Sequence, residues 1–126
     1  MKKLIFILSV LLMVSCKKEE KKESLYPESP ASPPTAVELG KEIFEGKGNC
    51  FSCHQPDQKI IGPSIQEIAT IYKSKGGNIV AFLKDQSGPL VDPTQFEVMK
   101  TNFAITKTFS EKELKAVEAY ILSHTK

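Results

Sequence analysis

Three residues in the middle of the chain combine types and spacing that suit one kind of chemistry. Cys50 and Cys53 are separated by two residues, and His54 follows directly. In a C-x-x-C-H motif the two thiols can add across the vinyl groups of one haem, and the adjacent imidazole can bind the iron as its proximal ligand. The motif therefore predicts one covalently attached haem c, held by Cys50 and Cys53 and ligated by His54.

Two other kinds of site also begin with a C-x-x-C pair. A zinc site needs two further nitrogen or sulfur ligands at metal-like spacing, and only His124 remains to offer one. A thiol oxidoreductase would place its C-x-x-C at the start of a helix that follows a strand, and the flanking sequence favours neither element. Both alternatives stay open, but the adjacent histidine favours haem.

A haem iron can take a second axial ligand, and one residue suits that position. Met99 is the only methionine after residue 15. A soft thioether suits haem iron, and it raises the reduction potential relative to a second imidazole. Met99 is therefore the candidate distal ligand. The alternative is a structural methionine that fills a gap in the core.

The first residues have the organisation of a secretory leader. Two lysines precede a mostly apolar run over residues 4–14, which is too short to cross a bilayer. We expect residues 1–15 to be a signal peptide. The run ends in Met-Val-Ser before Cys16, which resembles the lipobox of bacterial lipoproteins, and this resemblance implies cleavage before Cys16 and acylation of that residue. The alternative is an ordinary signal peptide with an incidental cysteine.

Residues 16–35 have the composition of a tether. Charges of both signs crowd the first part, and four prolines lie among serines and alanines in the second part. Such a segment cannot bury enough apolar surface to offset the entropy of ordering it. The sequence thus predicts three parts, which are the signal peptide, a lipidated Cys16 with its disordered tether, and a folded domain over residues 36–126.

The composition of the chain bounds its class. The 17 basic residues are all lysine and face 15 acidic ones. Because two of those lysines belong to the leader, the remaining charges balance, and nothing suggests nucleic-acid binding. Aromatic residues are few and tryptophan is absent. A buried haem would therefore supply much of the apolar surface that one small core needs.

Helix signals predict an all-α fold for the domain. The T/S-x-x-E signature of a helix capping box begins at Thr35, Ser64 and Ser110. Asn78 can cap a further short helix that ends near Gly88-Pro89. The stretch between that helix and the last one shows no clean period. We therefore expect about four helices around one covalently attached haem, with no sheet of consequence.

Over about residues 36–125 the chain resembles the class I, single-haem cytochromes c. In that family a glycine and an aromatic residue on the first helix pack against an aromatic residue on the last helix. Gly40, Phe44 and Tyr120 match those positions. The link from Phe44 to Cys50 is about two residues longer than in the compact members of the family. The resemblance implies the small cytochrome c fold.

The resemblance also implies partners for the two candidate iron ligands. In the family a Gly-Pro pair presents the proline carbonyl to the Nδ1 proton of the histidine, and Pro63 falls at that spacing after His54. Such an acceptor fixes the imidazole tautomer and leaves Nε2 for iron. Met99 falls at the position of the family's distal methionine, although Lys100 follows it where the family often has proline.

Two axial protein ligands leave the iron no open position, which suits one-electron transfer rather than enzyme catalysis. We expect a monomeric electron carrier outside the cytoplasm, on the periplasmic side or the cell surface. A lipid on Cys16 would hold it on a membrane, where it would exchange electrons with redox proteins of the respiratory chain. The alternative is a haem peroxidase or gas-binding sensor with an open or labile sixth site, favoured if Met99 does not ligate.

Overall fold

The structure, a computed structural model, describes residues 32–126 of the chain. The predicted signal peptide, Cys16 and most of the predicted tether lie outside these described residues. Helices account for most of the regular secondary structure of residues 32–126. None of the helices within residues 32–126 is long and apolar enough to cross a membrane.

The described residues form six α-helices. Four of them, the main helices, begin at the caps that the sequence predicted, and they are α1 (Ala36–Glu45), α2 (Ile65–Lys75), α3 (Ile79–Leu83) and α6 (Glu111–Leu122). The two further helices, α4 (Phe96–Lys100) and α5 (Phe103–Thr106), lie between α3 and α6. Short 3₁₀ turns cover Cys50–Ser52 and Pro93–Gln95. Within this part of the chain there is no strand, only an isolated bridge between His54 and Lys59. The predicted all-α fold with about four helices is confirmed.

Side chains cap the helix starts that the sequence predicted. Thr35 and Ser110 each form a complete capping box with the glutamate three residues further on. Ser64 accepts a 3.1 Å hydrogen bond from the Glu67 amide, but the Glu67 carboxylate does not return the second bond, so this predicted box is only half present. The Asn78 side chain accepts a 2.7 Å bond from the first turn of α3. These bonds satisfy amides that a first helical turn leaves free.

Helix α3 ends earlier than the sequence predicted. The expected end near Gly88-Pro89 is wrong, because the helix stops at Leu83. Asp85 has a φ of 59°, a left-handed conformation that interrupts a helix and that aspartate tolerates better than most residues. The amide of Gln86 then donates to the carbonyl of Ala81 at 2.8 Å and closes the turn.

The crossing of α1 and α6 is the central contact of the fold. Gly40 lies where the two backbones meet, and a Cβ built on it would stand 1.9 Å from the carbonyl oxygen of Ala116. One turn further along α1, the ring of Phe44 meets the ring of Tyr120 edge to face at a centroid distance of 5.3 Å. Because only glycine allows so close an approach, Gly40, Phe44 and Tyr120 together determine how α1 packs on α6.

Apolar side chains from the main helices and from α5 fill the interior. The buried set includes Ile43, Phe44, Ile65, Ala69, Tyr72, Ile79, Leu83, Phe103, Leu114, Val117, Tyr120 and Ile121. Thr106 is a buried polar exception, and its hydroxyl donates to the carbonyl of Leu83 at 2.6 Å. This bond joins α5 to the end of α3 and keeps a polar group satisfied inside the core.

Candidate haem site

A cavity of about 220 Å³ opens between the helices, and every helix except α5 contributes to its lining. The residues that the sequence predicted for haem attachment and ligation meet there. They are Cys50, Cys53, His54, Pro63 and Met99. Most of the remaining lining is apolar, with side chains from α1, α2, α3 and α6. The fold thus brings two thiols, one imidazole and one thioether to a single apolar cavity.

The C-x-x-C-H motif forms a tight turn on the wall of this cavity. Asn49 starts it with a φ of 50°. The amides of Cys53 and His54 both donate to the carbonyl of Cys50, at 3.1 and 3.0 Å. The two cysteines are not joined in a disulfide. This turn places both sulfurs and the imidazole on the same cavity, as attachment of one macrocycle requires.

The thiol-redox and zinc alternatives find little support in the site. Burial raises the pKa of the Cys50 thiol to about 11, whereas a redox-active cysteine has a lowered pKa. Within residues 32–126 no group of three or more His, Cys, Asp or Glu side chains is placed to hold a metal ion. His124 lies away from the cavity, and its Nδ1 donates to the carbonyl of Tyr120 at 3.0 Å. Cys50, Cys53 and His54 therefore favour a haem site over a zinc site or a thiol-redox site.

His54 is held in the tautomer that a metal ligand needs. Its Nδ1 lies 2.7 Å from the carbonyl oxygen of Pro63. A carbonyl only accepts hydrogen bonds, so Nδ1 carries a proton, and in the neutral ring Nε2 then keeps its lone pair. Burial lowers the pKa of the His54 imidazole, against a smaller opposing effect of the bond to Pro63. The side chain is therefore mainly neutral near pH 7, the state in which imidazole binds iron.

Gly62 allows the main chain to lie directly against the His54 ring. A Cβ on Gly62 would stand 2.5 Å from Cε1 and 2.8 Å from Nδ1 of the imidazole. The Gly62 amide donates to the carbonyl of Cys53 at 2.9 Å, which closes the loop beside the ring. Sequence reasoning assigned a role to Pro63 but none to Gly62 itself. The position of Gly62 directly before Pro63 is the sequence signal that would have indicated its contact with the His54 ring.

Met99 lies on α4 and is partly buried against the core. The helix is not deeply packed, since none of its residues is fully buried and the Val98 residue is 51% exposed. Aromatic contacts hold it in place. The ring of Phe96 lies 6.1 Å from that of Phe82 on α3 and 6.2 Å from that of Phe103 on α5, between centroids. Neighbours on two other helices thus position the segment that carries Met99.

An ion pair joins two loops beside the cavity. Lys59, in the loop after His54, donates to the carboxylate of Asp92 at 2.7 Å. Asp92 lines the cavity and also accepts hydrogen bonds from Thr94. The bonds from Lys59 and Thr94 lower the pKa of the Asp92 carboxyl to about 2. Asp92 is therefore charged at neutral pH, and the pair connects the His54 loop to the loop before α4.

Comparison with known proteins gives one family match and several partial matches to individual proteins. Among protein-family models, the one described as Cytochrome c matches residues 37–125. The chain is 35% identical over 40 residues to cytochrome c-551 of Pseudomonas denitrificans. It is 40% identical over 40 residues to cytochrome c-551 of Azotobacter vinelandii. It is also 55% identical over 31 residues to cytochrome c2 of Rubrivivax gelatinosus.

The individual relatives match only a part of this chain. The two cytochrome c-551 alignments each cover 32% of the chain and 48% of the relative, and the cytochrome c2 alignment covers 25% and 36%. The chain thus matches about half the length of the first two relatives. The family match is broader, since it covers residues 37–125, from the first turn of α1 to beyond the end of α6. The chain therefore belongs to the cytochrome c family, and the Cys50, Cys53 and His54 motif within that family implies one covalently attached haem c.

Proposed function

We propose that the protein is a membrane-tethered one-electron carrier whose haem iron has His54 and Met99 as axial ligands. One observation carries the proposal, namely that an imidazole with a free Nε2 and a thioether line the same cavity as the two cysteines. When bound, the haem supplies a one-electron couple between ferrous and ferric iron. Two protein ligands leave no coordination position for a substrate, so an electron carrier is favoured over an enzyme.

Each of the site residues has a separate task in this proposal. Cys50 and Cys53 attach the haem through thioether bonds. The Pro63 carbonyl orients His54 and makes it a stronger ligand. Met99 raises the reduction potential of the iron relative to ligation by a second imidazole. The apolar lining keeps water away from the site, which reduces the solvent reorganisation that accompanies a change of charge.

A carbon monoxide difference spectrum of the reduced wild-type protein tests this function. We expect no carbon monoxide adduct of the native protein, because both axial positions are filled. The same protein in strong denaturant, where the distal ligand is released, serves as the positive control. An adduct of the native protein would instead favour the haem peroxidase or gas-binding sensor with an open or labile sixth site.

The membrane tether rests on the sequence before the described residues. The lipobox-like sequence at Cys16 and the charged, proline-rich segment after it support a lipidated N-terminus. Two or more acyl chains give stable anchoring where one chain would be marginal. A monomeric haem domain held in this way would lie in the cell envelope outside the cytoplasm, where redox proteins of the respiratory chain are its expected partners.

Replacing Cys16 by serine should release the protein from the membrane. We expect the wild type in the membrane fraction, extractable with detergent, and Cys16→Ser in the soluble fraction with its haem still attached. A matched Ser24→Ala change in the tether should leave the protein on the membrane. The lipid anchor is refuted if the wild type is already soluble after cell breakage.

A further inference from the structure

A hydrogen bond connects the segment that carries Met99 to the loop before the cysteines. The Nδ2 of Asn102 donates to the carbonyl oxygen of Gly48 at 3.2 Å, between residues 54 positions apart. Asn102 is partly buried and lines the same cavity as Met99. In the described part of the chain, the other hydrogen bonds of residues 98–102 go to neighbouring turns. Asn102 is thus the segment's one distant hydrogen-bonding contact there.

The acceptor of this bond is held rigidly. The Gly48 amide donates to the carbonyl of Ile43 at 2.8 Å, near the end of α1. A Cβ on Gly48 would stand 2.7 Å from that carbonyl oxygen and 3.1 Å from the Cys50 sulfur. The Gly48 main chain therefore lies tightly against α1. Through it, Asn102 is joined to α1, the helix that crosses α6 closely at Gly40.

The donor is equally well fixed relative to Met99. The amide of Asn102 donates to the carbonyl of Met99 at 2.9 Å, which holds the two residues one turn apart. Apart from the aromatic contacts of Phe96, α4 has little buried packing, since none of its residues is fully buried, and this makes it easier to open than the fully packed helices. The side-chain bond of Asn102 supplies a directional contact that the packing of α4 lacks.

Haem attachment leaves the Gly48 carbonyl more dependent on its hydrogen bond from Asn102. In the structure the Cys50 thiol also donates to the Gly48 carbonyl, at 3.4 Å. A thioether sulfur has no proton, so an attached Cys50 can no longer be a donor. The Asn102 amide then remains as the side-chain donor to that carbonyl. Its loss would leave the carbonyl without either of its side-chain partners, which is costly away from water.

We propose that Asn102 is a positioning residue for Met99, whose side-chain amide anchors the Met99 segment to Gly48 and so holds the thioether at the axial position. The inference rests on the proposed ligation by Met99. When the anchor is lost, α4 moves away from the cavity more readily. A small external ligand then competes more successfully for the same position.

Imidazole binding to the oxidised holoprotein measures how firmly the thioether is held, because imidazole must displace Met99. Asn102→Leu removes the donor at nearly constant volume, and Asn102→Ala removes both donor and volume. We expect each variant to bind imidazole about 5-fold more tightly than the wild type, the fold-change for one hydrogen bond of about 1 kcal/mol. The far-red sulfur-to-iron absorption band should also weaken.

Thr108→Ala is the matched control, since it removes a local 2.7 Å bond to the Ile105 carbonyl outside the cavity. Its imidazole affinity should equal that of the wild type. If Asn102→Leu lowers global stability but leaves imidazole affinity unchanged, Asn102 is only a structural residue and the inference is wrong. If the oxidised wild type itself lacks the sulfur-to-iron band, the proposed ligation by Met99 fails instead, so the two failures are distinguishable.

Discussion

The reduced Met99→Ala protein should bind carbon monoxide, which the wild type should not. The substitution leaves the iron with one protein ligand and an open sixth position. Loss of the thioether should also lower the reduction potential by on the order of 0.1 V, because sulfur ligation stabilises ferrous iron. Since Met99 is only partly buried, the free energy of unfolding should fall by about 1–2 kcal/mol, less than for a fully buried methionine.

Glu97→Gln on the same helix is the matched control for this variant. The Glu97 side chain is 81% exposed, so its replacement should leave the carbon monoxide spectrum and the folding stability unchanged. The potential of each variant is measured by redox titration beside its carbon monoxide spectrum. If Met99→Ala neither binds carbon monoxide nor changes potential, Met99 is a gap-filling core residue and the sixth ligand lies elsewhere.

Gly40→Ala should be among the most destabilising small substitutions in the domain. The added Cβ would stand 1.9 Å from the Ala116 carbonyl oxygen, so α1 and α6 must separate and weaken the contact of Phe44 with Tyr120. Such overpacking costs about 1–3 kcal/mol or more. The gain in helix propensity returns only about 0.5–1 kcal/mol. We therefore expect a net loss of about 2 kcal/mol and a fall in Tm of about 10 °C.

Gly88→Ala is the control for this prediction, because a Cβ at Gly88 would meet no atom within 4 Å. Its unfolding free energy should stay within about 0.5 kcal/mol of the wild type. Chemical unfolding of the two holoproteins, followed at the haem absorption, gives both values. A Gly40→Ala protein as stable as Gly88→Ala would mean that α1 and α6 do not cross at Gly40.

The features that could be predicted from sequence are those with a local physical cause. The capping boxes at Thr35 and Ser110 depend on residues three positions apart, and the C-x-x-C-H motif is likewise a local pattern of the sequence. The pairing of Gly40 with Phe44 and Tyr120 came from a family resemblance instead. The structure supplies its physical reason, since the backbones of α1 and α6 leave no room for a side chain at Gly40.

The features that could not be predicted depend on contacts between distant parts of the chain. Helices α4 and α5 are too short to show a period, and the aromatic contact of Phe96 with Phe82 that holds α4 reaches across to α3. The early end of α3 depends on Asp85 in the left-handed conformation. That conformation is usually adopted by glycine, so the aspartate gave no signal of it in the sequence. Asn102 carried no local signal of a role, because its partner Gly48 lies 54 residues away.

The far-red absorption of the oxidised wild-type holoprotein tests the central claim most directly, namely that a covalently attached haem has His54 and Met99 as its axial ligands. We predict the weak sulfur-to-iron charge-transfer band in protein whose haem remains on the chain under denaturing electrophoresis. The band should vanish in Met99→Ala and persist in Glu97→Gln. An oxidised, folded wild-type holoprotein without this band would contradict the account.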